Sequence, residues 1–271
     1  MLKQRIVTAV LLAIVVVGTI VFAEHIWVRL LFTLVLGVAV QELLNLTLKL
    51  SPSVKIILTA LFTLLFWFSL DPVQQSWLYW QSVGGAFLWL LITLSLFFYR
   101  HQGDYSLLIR ILLLGLGLDL IWICCHGLIY LHQENGAEML LFLFTLVWIA
   151  DIGAYFSGRR FGKHKLAPLI SPGKTWEGVA GGVLLNLIWI MLIFQVFDGW
   201  GIPLIAFVSI AVATSAISVV GDLFESILKR EAGVKDSGRL LPGHGGVLDR
   251  IDGVIAATPV FVAGVMMVNA V

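Results

Sequence analysis

The chain has 271 residues, of which 60% are hydrophobic and only 12% are charged, and its formal net charge is +1. A soluble domain carries about 25% charged residues, and it needs more polar surface than this chain can supply. The composition therefore excludes an ordinary soluble enzyme and a disordered chain, and the small net charge gives no basic field for a nucleic-acid partner.

Long apolar runs follow one another along the chain, and a transmembrane helix needs about 20 such residues. Five runs carry no charged side chain, at residues 6–23, 72–99, 178–197, 199–221 and 253–271. Four more hold one or two charges, at residues 27–46, 54–70, 106–131 and 139–157. Lipid leaves an open sheet edge unpaired, and these runs are too long for barrel strands. We therefore predict an all-α, polytopic membrane protein with nine transmembrane helices.

The basic residues predict the orientation of these helices. With the N-terminus in the cytoplasm and nine alternating spans, every Lys and Arg except Arg29 falls on the cytoplasmic side. The outer turns carry acidic residues, namely Glu24, Asp71, Glu134, Glu138 and Asp198. Because cytoplasmic loops of membrane proteins are enriched in Lys and Arg, we predict a cytoplasmic N-terminus and an outside C-terminus.

Polar residues are unevenly distributed along the chain. Two predicted cytoplasmic segments, 158–177 and 222–252, are long and rich in polar groups. We divide the chain into N-terminal transmembrane helices, 1–138, and C-terminal helices that carry the cytoplasmic-face catalytic loops, 139–271, within one membrane unit. Inside the spans, Glu42, Asp119 and Asn186 are predicted to hydrogen-bond between helices.

The first polar segment begins with Asp151 and ends in a basic, Gly- and Pro-rich loop. Gly-Lys-Thr at 173–175 suggests a P-loop, but Pro168 stands where that motif requires glycine. Backbone N–H groups, Lys174 and a helix that begins near Thr175 could still bind phosphate oxygens. The alternative is a basic loop that lies at the lipid headgroups.

The second polar segment places three chemically complementary residues on one predicted helix face. Asp222, Ser226 and Lys229 are spaced i, i+4 and i+7. An acid, a hydroxyl and a cation in this order suit a hard metal ion together with a phosphate. The alternative is an exposed helix end with an ion pair.

The third polar segment is a tight loop followed by further acids. Pro242 and the glycines around His244 predict a turn that exposes backbone N–H groups to an anion. Asp249 and Asp252 follow, one helical turn apart, with Arg250 between them. A second carboxylate with nearby cations is suited to phosphoryl or nucleotidyl transfer.

Two stretches of this sequence resemble a known family. The pattern Ser226-x2-Lys229-Arg230-x4-Lys235-Asp236-x-Gly238-x2-Leu241-Pro242-x-His244-Gly245-Gly246-x2-Asp249-Arg250-x-Asp252 is similar to the signature of the phosphatidate cytidylyltransferase (CDP-diacylglycerol synthase) family. The stretch from Trp148 to Gly178, with Ser171-Pro-x-Lys174-Thr175-x-Glu177-Gly178, resembles the same family. Ile152 departs from it, because members often carry Thr or Ser there.

The resemblance implies a reaction in which CTP and phosphatidic acid give CDP-diacylglycerol and pyrophosphate. The implied cofactor is Mg²⁺, with or without a second metal ion. It implies a homodimer in the bacterial cytoplasmic (inner) membrane, in contact with membrane lipid, with the active site on the cytoplasmic face. Asp222 and Asp249 would bind metal and, with Ser226 and Lys229, would be catalytic. The implied substrate-binding residues are Lys174, Ser171, Thr175, Arg230, His244, Gly245, Gly246 and Arg250.

Two other function classes compete with this interpretation. Asp249-x-x-Asp252-Gly253 resembles the start of the CDP-alcohol phosphotransferase motif, but residues 254–271 contain none of the further acids that the motif needs. A membrane transporter would place acids along an ion path, yet both polar clusters are predicted on one face. A purely structural scaffold explains the spans but not the Asp, Ser, Lys and His-Gly-Gly pattern.

Overall fold

The computed structural model describes residues 2–70, 75–100 and 105–269, and of residues 2–6 and 269 only the backbone. The predicted turn residue Asp71 lies outside this part of the chain. The described residues form α1 (Leu2–Phe22), α2 (His25–Thr47), α3 (Pro52–Ser69), α4 (Gln75–Leu96), α5 (Leu107–Tyr130), α6 (Gly136–Phe161), α7 (Trp176–Phe197), α8 (Leu204–Glu231) and α9 (Leu248–Asn269). Each predicted span overlaps one of these helices, so the all-helical class is confirmed.

Long apolar helices dominate the described part of the chain. Seven continuous helical elements in it are long and apolar enough to cross a bilayer, as expected for a polytopic membrane protein. One of them runs from Leu107 to Phe161 and joins α5 to α6 through a π-helical segment, Leu131–Asn135. Gly136 follows this segment with a φ of 86°, a backbone conformation that interrupts a regular helix.

A short β-hairpin is an element that the sequence analysis did not predict. Strands β1 (Lys165–Ala167) and β2 (Ser171–Thr175) pair antiparallel, with Lys165 opposite Thr175 and Ala167 opposite Ser171. Ser-Pro-Gly-Lys-Thr is typical of a turn, and proline is tolerated only in edge strands. The hairpin forms within the predicted loop and leads directly into α7.

The chain folds into two compact units that alternate along the sequence. The first unit comprises Met1–Leu78, Gln102–Leu141 and Ile227–Asp252. The second unit comprises Tyr79–His101, Phe142–Ser226 and Gly253–Val271. The predicted division of the chain into residues 1–138 and 139–271 concerned the roles of the two parts, and it stays a prediction.

In the first unit, α2 packs against α3 and α5. Its buried face includes Leu36, Val40 and Leu43. A Cβ on Gly117 of α5 would lie 2.7 Å from the Leu43 side chain, so the glycine lets the two helices approach closely. This contact makes α2 a firmly packed helix of the first unit.

In the second unit, glycines bring the backbones of α6 and α7 together. A Cβ on Gly153 would lie only 2.8 Å from the Cα of Gly182. Small residues at such a crossing are typical of membrane helices, where close van der Waals packing drives association. Further along, the Asn186 amide donates hydrogen bonds to Leu146 O (2.8 Å) and Ser215 Oγ (2.7 Å). The prediction of interhelical hydrogen bonds is confirmed for Asn186.

Candidate functional site

Asp249 is the centre of a buried polar cluster in the first unit. Its Oδ1 lies 2.6 Å from Lys229 Nζ, and the two side chains are only 5% and 13% exposed. Its Oδ2 accepts hydrogen bonds from Ser237 N (2.9 Å), Ser237 Oγ (2.9 Å) and Gly246 N (2.8 Å). A buried ion pair is tolerated when further hydrogen bonds offset the desolvation of both charges, as they do here.

The loop before α9 is shaped to hold this carboxylate. Leu241 and Gly245 form a bridge, in which Leu241 N donates to Gly245 O (3.0 Å). Gly245 has a φ of 83°, and a Cβ on it would lie 2.7 Å from Asp249 Oδ2. Only glycine meets both requirements, because it tolerates positive φ and leaves space for the carboxylate.

Glu42 of α2 belongs to the same cluster, although the sequence suggested only an interhelical hydrogen bond for it. Its Oε2 accepts from Ser237 Oγ (3.0 Å) and from Leu248 N (2.8 Å), and its Oε1 accepts from Val247 N (3.1 Å). The side chain is nearly buried, at 5% exposure. The one available signal was its position as an acid inside an apolar run. We call Glu42, Lys229, Ser237, Gly246 and Asp249 the Asp249 cluster.

A cavity of about 570 Å³ lies beside the loop in the first unit, and we call it the His244 cavity. Its lining includes the predicted substrate-binding residues His244, Gly245 and Arg250. Arg250 Nη2 donates to His244 O (2.9 Å), which fastens the loop to the first turn of α9. The Nδ1 of His244 is buried without a hydrogen-bond partner among the described residues. The cavity also contains basic side chains from Lys235 and Arg239.

Asp222 forms an ion pair in the second unit. Its Oδ2 lies 2.7 Å from Lys174 Nζ, and the two side chains are 37% and 22% exposed. Lys174 Nζ also donates to Val219 O (3.2 Å), and Ser226 Oγ donates weakly to Asp222 Oδ1 (3.4 Å). The helix α8 continues without a break through Asp222, Ser226 and Lys229, as the spacing predicted.

This ion pair borders a cavity of about 520 Å³, which we call the Lys174 pocket. Its polar or small lining residues come from α6, from the hairpin, from α7 and from α8, namely Asp151, Tyr155, Gly158, Arg159, Ser171, Gly173, Lys174, Thr175, Gly178 and Asp222. Ser171, Lys174 and Thr175, which were predicted to bind substrate, are thereby brought together.

Thr175 also has a local structural task. Its Oγ1 accepts a hydrogen bond from Gly178 N (3.1 Å) and so caps the N-terminus of α7, where backbone N–H groups lack helical partners. Glu177 strengthens the same corner, because its carboxylate accepts from Lys163 N (3.1 Å) and contacts His164 Nδ1 (2.6 Å). Sequence analysis had assigned no role to Glu177.

An apolar cleft of about 450 Å³ adjoins the Lys174 pocket. The two share Val179 and Val219 in their linings. The rest of the cleft is lined mainly by aliphatic and aromatic side chains, among them Leu96, Phe97 and Leu223. A polar pocket and an apolar surface therefore meet along α7 and α8.

The donor chemistry of both acids fits a hard divalent cation, which prefers carboxylate oxygens. Among the residues that the structure describes, no group of three or more His, Cys, Asp or Glu side chains could hold a metal ion. A Mg²⁺ ion that binds one or two carboxylates, substrate phosphates and waters needs no such group. Asp222 is the more accessible of the two carboxylates, since it is 37% exposed, whereas Asp249 is 5% exposed and has four donor atoms within hydrogen-bond distance.

The remaining predicted residues occupy different surroundings. Gly246 lies in the Asp249 cluster and is buried. Arg230 is exposed near the end of α8. It is not among the described residues that line the His244 cavity or the Lys174 pocket.

The sequence pattern of the cytidylyltransferase family matches residues 3–268. A phosphatidate cytidylyltransferase of Pseudomonas aeruginosa is 38% identical over 280 aligned positions, which cover 97% of this chain and 96% of that protein. Those of Haemophilus influenzae and Brucella suis are 56% and 50% identical over 137 and 128 residues. These shorter matches cover 49% and 46% of this chain and 47% and 46% of the two proteins, so they span about half of each relative.

Proposed function

The chain belongs to the cytidylyltransferase family, and on this basis we propose that it is a phosphatidate cytidylyltransferase that makes CDP-diacylglycerol from CTP and phosphatidic acid. The observation that carries the proposal is that both acids predicted to bind metal are paired with lysines, Asp222 with Lys174 and Asp249 with Lys229. Carboxylates beside cations suit a reaction whose substrates are polyphosphate anions.

The proposed reaction is an in-line displacement at phosphorus. A phosphate oxygen of phosphatidic acid attacks the α-phosphorus of CTP, a new O–P bond forms, and the bond to the β-phosphate breaks to release pyrophosphate. The attacking oxygen is already an anion, so no strong general base is needed. Catalysis then depends mainly on positioning and charge neutralisation.

We assign roles to the chain's own residues on this basis. Asp222 and Asp249 would each bind metal, and a bound Mg²⁺, with or without a second ion, would neutralise phosphate charge. Ser226 and Lys229 would contact the phosphates. Lys174 can exchange its contact with Asp222 for a phosphate oxygen, because the pair is partly exposed.

The other substrate contacts follow from the two cavities. In the Lys174 pocket, Ser171 and Thr175 present hydroxyl groups, and the adjoining apolar cleft is suited to a lipid substrate. In the His244 cavity, the His244 ring, the backbone of Gly245 and Arg250 offer donors to an anion. Gly246 was predicted to bind substrate directly, but its N–H donates to Asp249, so it would contribute by holding that carboxylate. Arg230 remains a proposed phosphate contact at the exposed end of α8.

We propose nine transmembrane spans, with the N-terminus in the cytoplasm and the C-terminus outside. The element Leu107–Phe161 has 55 residues. At a rise of 1.5 Å per residue, its length is more than twice the thickness of the hydrocarbon core, which is about 30 Å. The interruption at Gly136 therefore suits two spans. The active site would then face the cytoplasm of a bacterial inner membrane, where CTP is available, and the protein would act as a homodimer in contact with lipid.

The competing functions have less support. A CDP-alcohol phosphotransferase or a transporter would not account for a cytidylyltransferase pattern that matches residues 3–268.

The test uses purified protein in detergent micelles with phosphatidic acid, radiolabelled CTP and Mg²⁺. We expect label in the lipid fraction, and we expect it to disappear when phosphatidic acid is omitted or when EDTA is added. A folded protein that transfers no label would contradict the proposed activity. Transfer that persists in EDTA would contradict the metal dependence alone.

A further inference from the structure

Glu42 lies in α2, far in sequence from the signature residues, yet its carboxylate is directed at them. An acid in an apolar membrane helix is costly unless it is compensated. Glu42 is compensated by three hydrogen bonds, all of which come from the segment 237–248. Its partners are therefore the elements that present Asp249.

Two of the three hydrogen bonds fix the beginning of α9. Val247 N and Leu248 N precede Asp249 directly, and the first N–H groups of a helix have no partner inside the helix. A negative charge at a helix N-terminus is also favourable. Glu42 thus caps α9 from another helix and determines where its first turn, which carries Asp249, is placed.

The third hydrogen bond links the two acids through a single hydroxyl group. Ser237 Oγ lies 3.0 Å from Glu42 Oε2 and 2.9 Å from Asp249 Oδ2. The hydroxyl has one hydrogen atom, so it can donate fully to only one carboxylate at a time. The loop also packs closely against Glu42. A Cβ on Gly238 or Gly246 would overlap the Glu42 carboxylate, so both positions require glycine.

We infer that Glu42 is a positioning residue for the transfer reaction, which orients Asp249 by holding Ser237 and the start of α9. The inference rests on the proposed function, since it assigns Glu42 to a site in which Asp249 binds metal. Groups that orient a metal ligand typically affect metal affinity or activity 10–100-fold. Glu42 itself touches neither substrate nor metal in this assignment.

The test compares Glu42→Gln and Glu42→Ala with the wild-type protein. Glutamine keeps the volume and one acceptor oxygen, whereas alanine removes all three hydrogen bonds. We expect turnover to fall about 10-fold in Glu42→Gln and about 100-fold in Glu42→Ala. We further expect the Mg²⁺ concentration for half-maximal activity to rise several-fold more than the KM for phosphatidic acid, a split that general destabilisation would not produce.

A second measurement does not depend on activity. Hydrogen exchange should become faster at Val247 and Leu248 in both variants, while exchange in α7 stays unchanged. Thr33→Val is the matched control, because Thr33 is also a buried polar residue of α2 and, within the described part of the chain, its hydroxyl donates to Arg29 O of its own helix alone. It should alter neither the Mg²⁺ requirement nor exchange at 247–248.

The possible outcomes separate the two proposals. If the wild-type protein transfers label and Glu42→Gln matches it in turnover and Mg²⁺ requirement, the positioning role is wrong while the proposed function stands. Faster exchange at 247–248 without any kinetic change would make Glu42 purely structural and would also overturn the inference. An inactive, folded wild-type protein would remove both proposals. If Glu42→Ala does not fold, Glu42→Gln alone decides.

Discussion

The two acids proposed to bind metal, Asp222 and Asp249, lie in different electrostatic surroundings, and this difference sets what each can do. Asp249 is only 5% exposed, and contacts with Lys229, Ser237 and Gly246 define its position. Asp222 is 37% exposed, and its ion pair with Lys174 is partly solvated. Solvated ion pairs contribute little to stability, so this pair can open at low cost. Asp222 is therefore the carboxylate better suited to exchange its partner in the proposed reaction.

Replacement of Lys229 by methionine should destabilise the protein. The substitution leaves the Asp249 carboxylate buried without its cation, which costs about 3–5 kcal/mol. Thermal unfolding in detergent measures the loss. Addition of Asp249→Asn to Lys229→Met should restore much of the stability but no activity. An exposed lysine serves as control, and Lys49→Met should unfold like the wild-type protein. Equal stability of Lys229→Met and wild type would refute the buried pair.

Replacement of Asp222 by asparagine should leave the fold intact and reduce turnover about 100-fold or more, because it removes a charge that the proposed mechanism uses. The label-transfer assay measures the effect. Asp198→Asn is the matched control, since Asp198 has a φ of 49° that asparagine also tolerates. Near-normal turnover in Asp222→Asn would argue against Asp222 as a metal ligand.

At the scale of elements, the crossing of α6 and α7 determines the shape of the Lys174 pocket. Both helices contribute lining residues, Tyr155 and Arg159 from α6 and Gly178 and Val179 from α7. Glycines at the crossing remove the side chains that would separate the two backbones. The hairpin then carries Lys174 into the pocket, and the Thr175 cap starts α7 beside it.

A methyl group at this crossing should therefore be harmful. Gly153→Ala places a Cβ 2.8 Å from the Gly182 Cα, and overpacking of this kind costs about 1–3 kcal/mol. The midpoint of thermal unfolding should fall accordingly. Gly84→Ala on α4 is the control, because a Cβ there meets nothing within 4 Å, and its midpoint should stay the same or rise. The same response in both variants would refute the close crossing.

At the scale of the whole molecule, the orientation in the membrane decides which substrates can reach the polar segments. CTP is a cytoplasmic solute, whereas phosphatidic acid stays in the lipid with its phosphate at headgroup depth. Both cavities would have to open on the cytoplasmic side for the proposed reaction. The distribution of Lys and Arg favours that arrangement.

Cysteine labelling in intact cells tests this topology. With a maleimide that does not cross the inner membrane, we expect labelling of Glu24→Cys and Glu138→Cys. Arg160→Cys and Lys235→Cys should react only after that membrane is permeabilised. The native Cys124 and Cys125 are buried, so the wild-type protein gives the background. Labelling of Lys235→Cys in intact cells would overturn the proposed orientation, and protection of Glu138→Cys would argue against a turn between α5 and α6.

Much of the fold was predictable because it depends on local properties. Each apolar run is long enough to specify its own helix, and the helix boundaries fall near the charged and Gly- or Pro-containing turns. The continuation of α8 through Asp222 and Lys229 followed from spacing along one helix. The β-hairpin was not predicted, because the sequence of its five-residue strand β2, Ser-Pro-Gly-Lys-Thr, is typical of a turn.

The sequence by itself determined the membrane class, the all-helical fold and the family resemblance, since hydrophobic runs and signature residues can be read along the chain. Only the tertiary structure decided the partners of the acids. Lys229 pairs with Asp249 across 20 positions, and Glu42 binds Leu248 across 206. Such pairs depend on how the helices pack, because a buried acid needs hydrogen-bond donors and the fold determines which donors lie near it. The spacing of residues along one helix does not predict these partners.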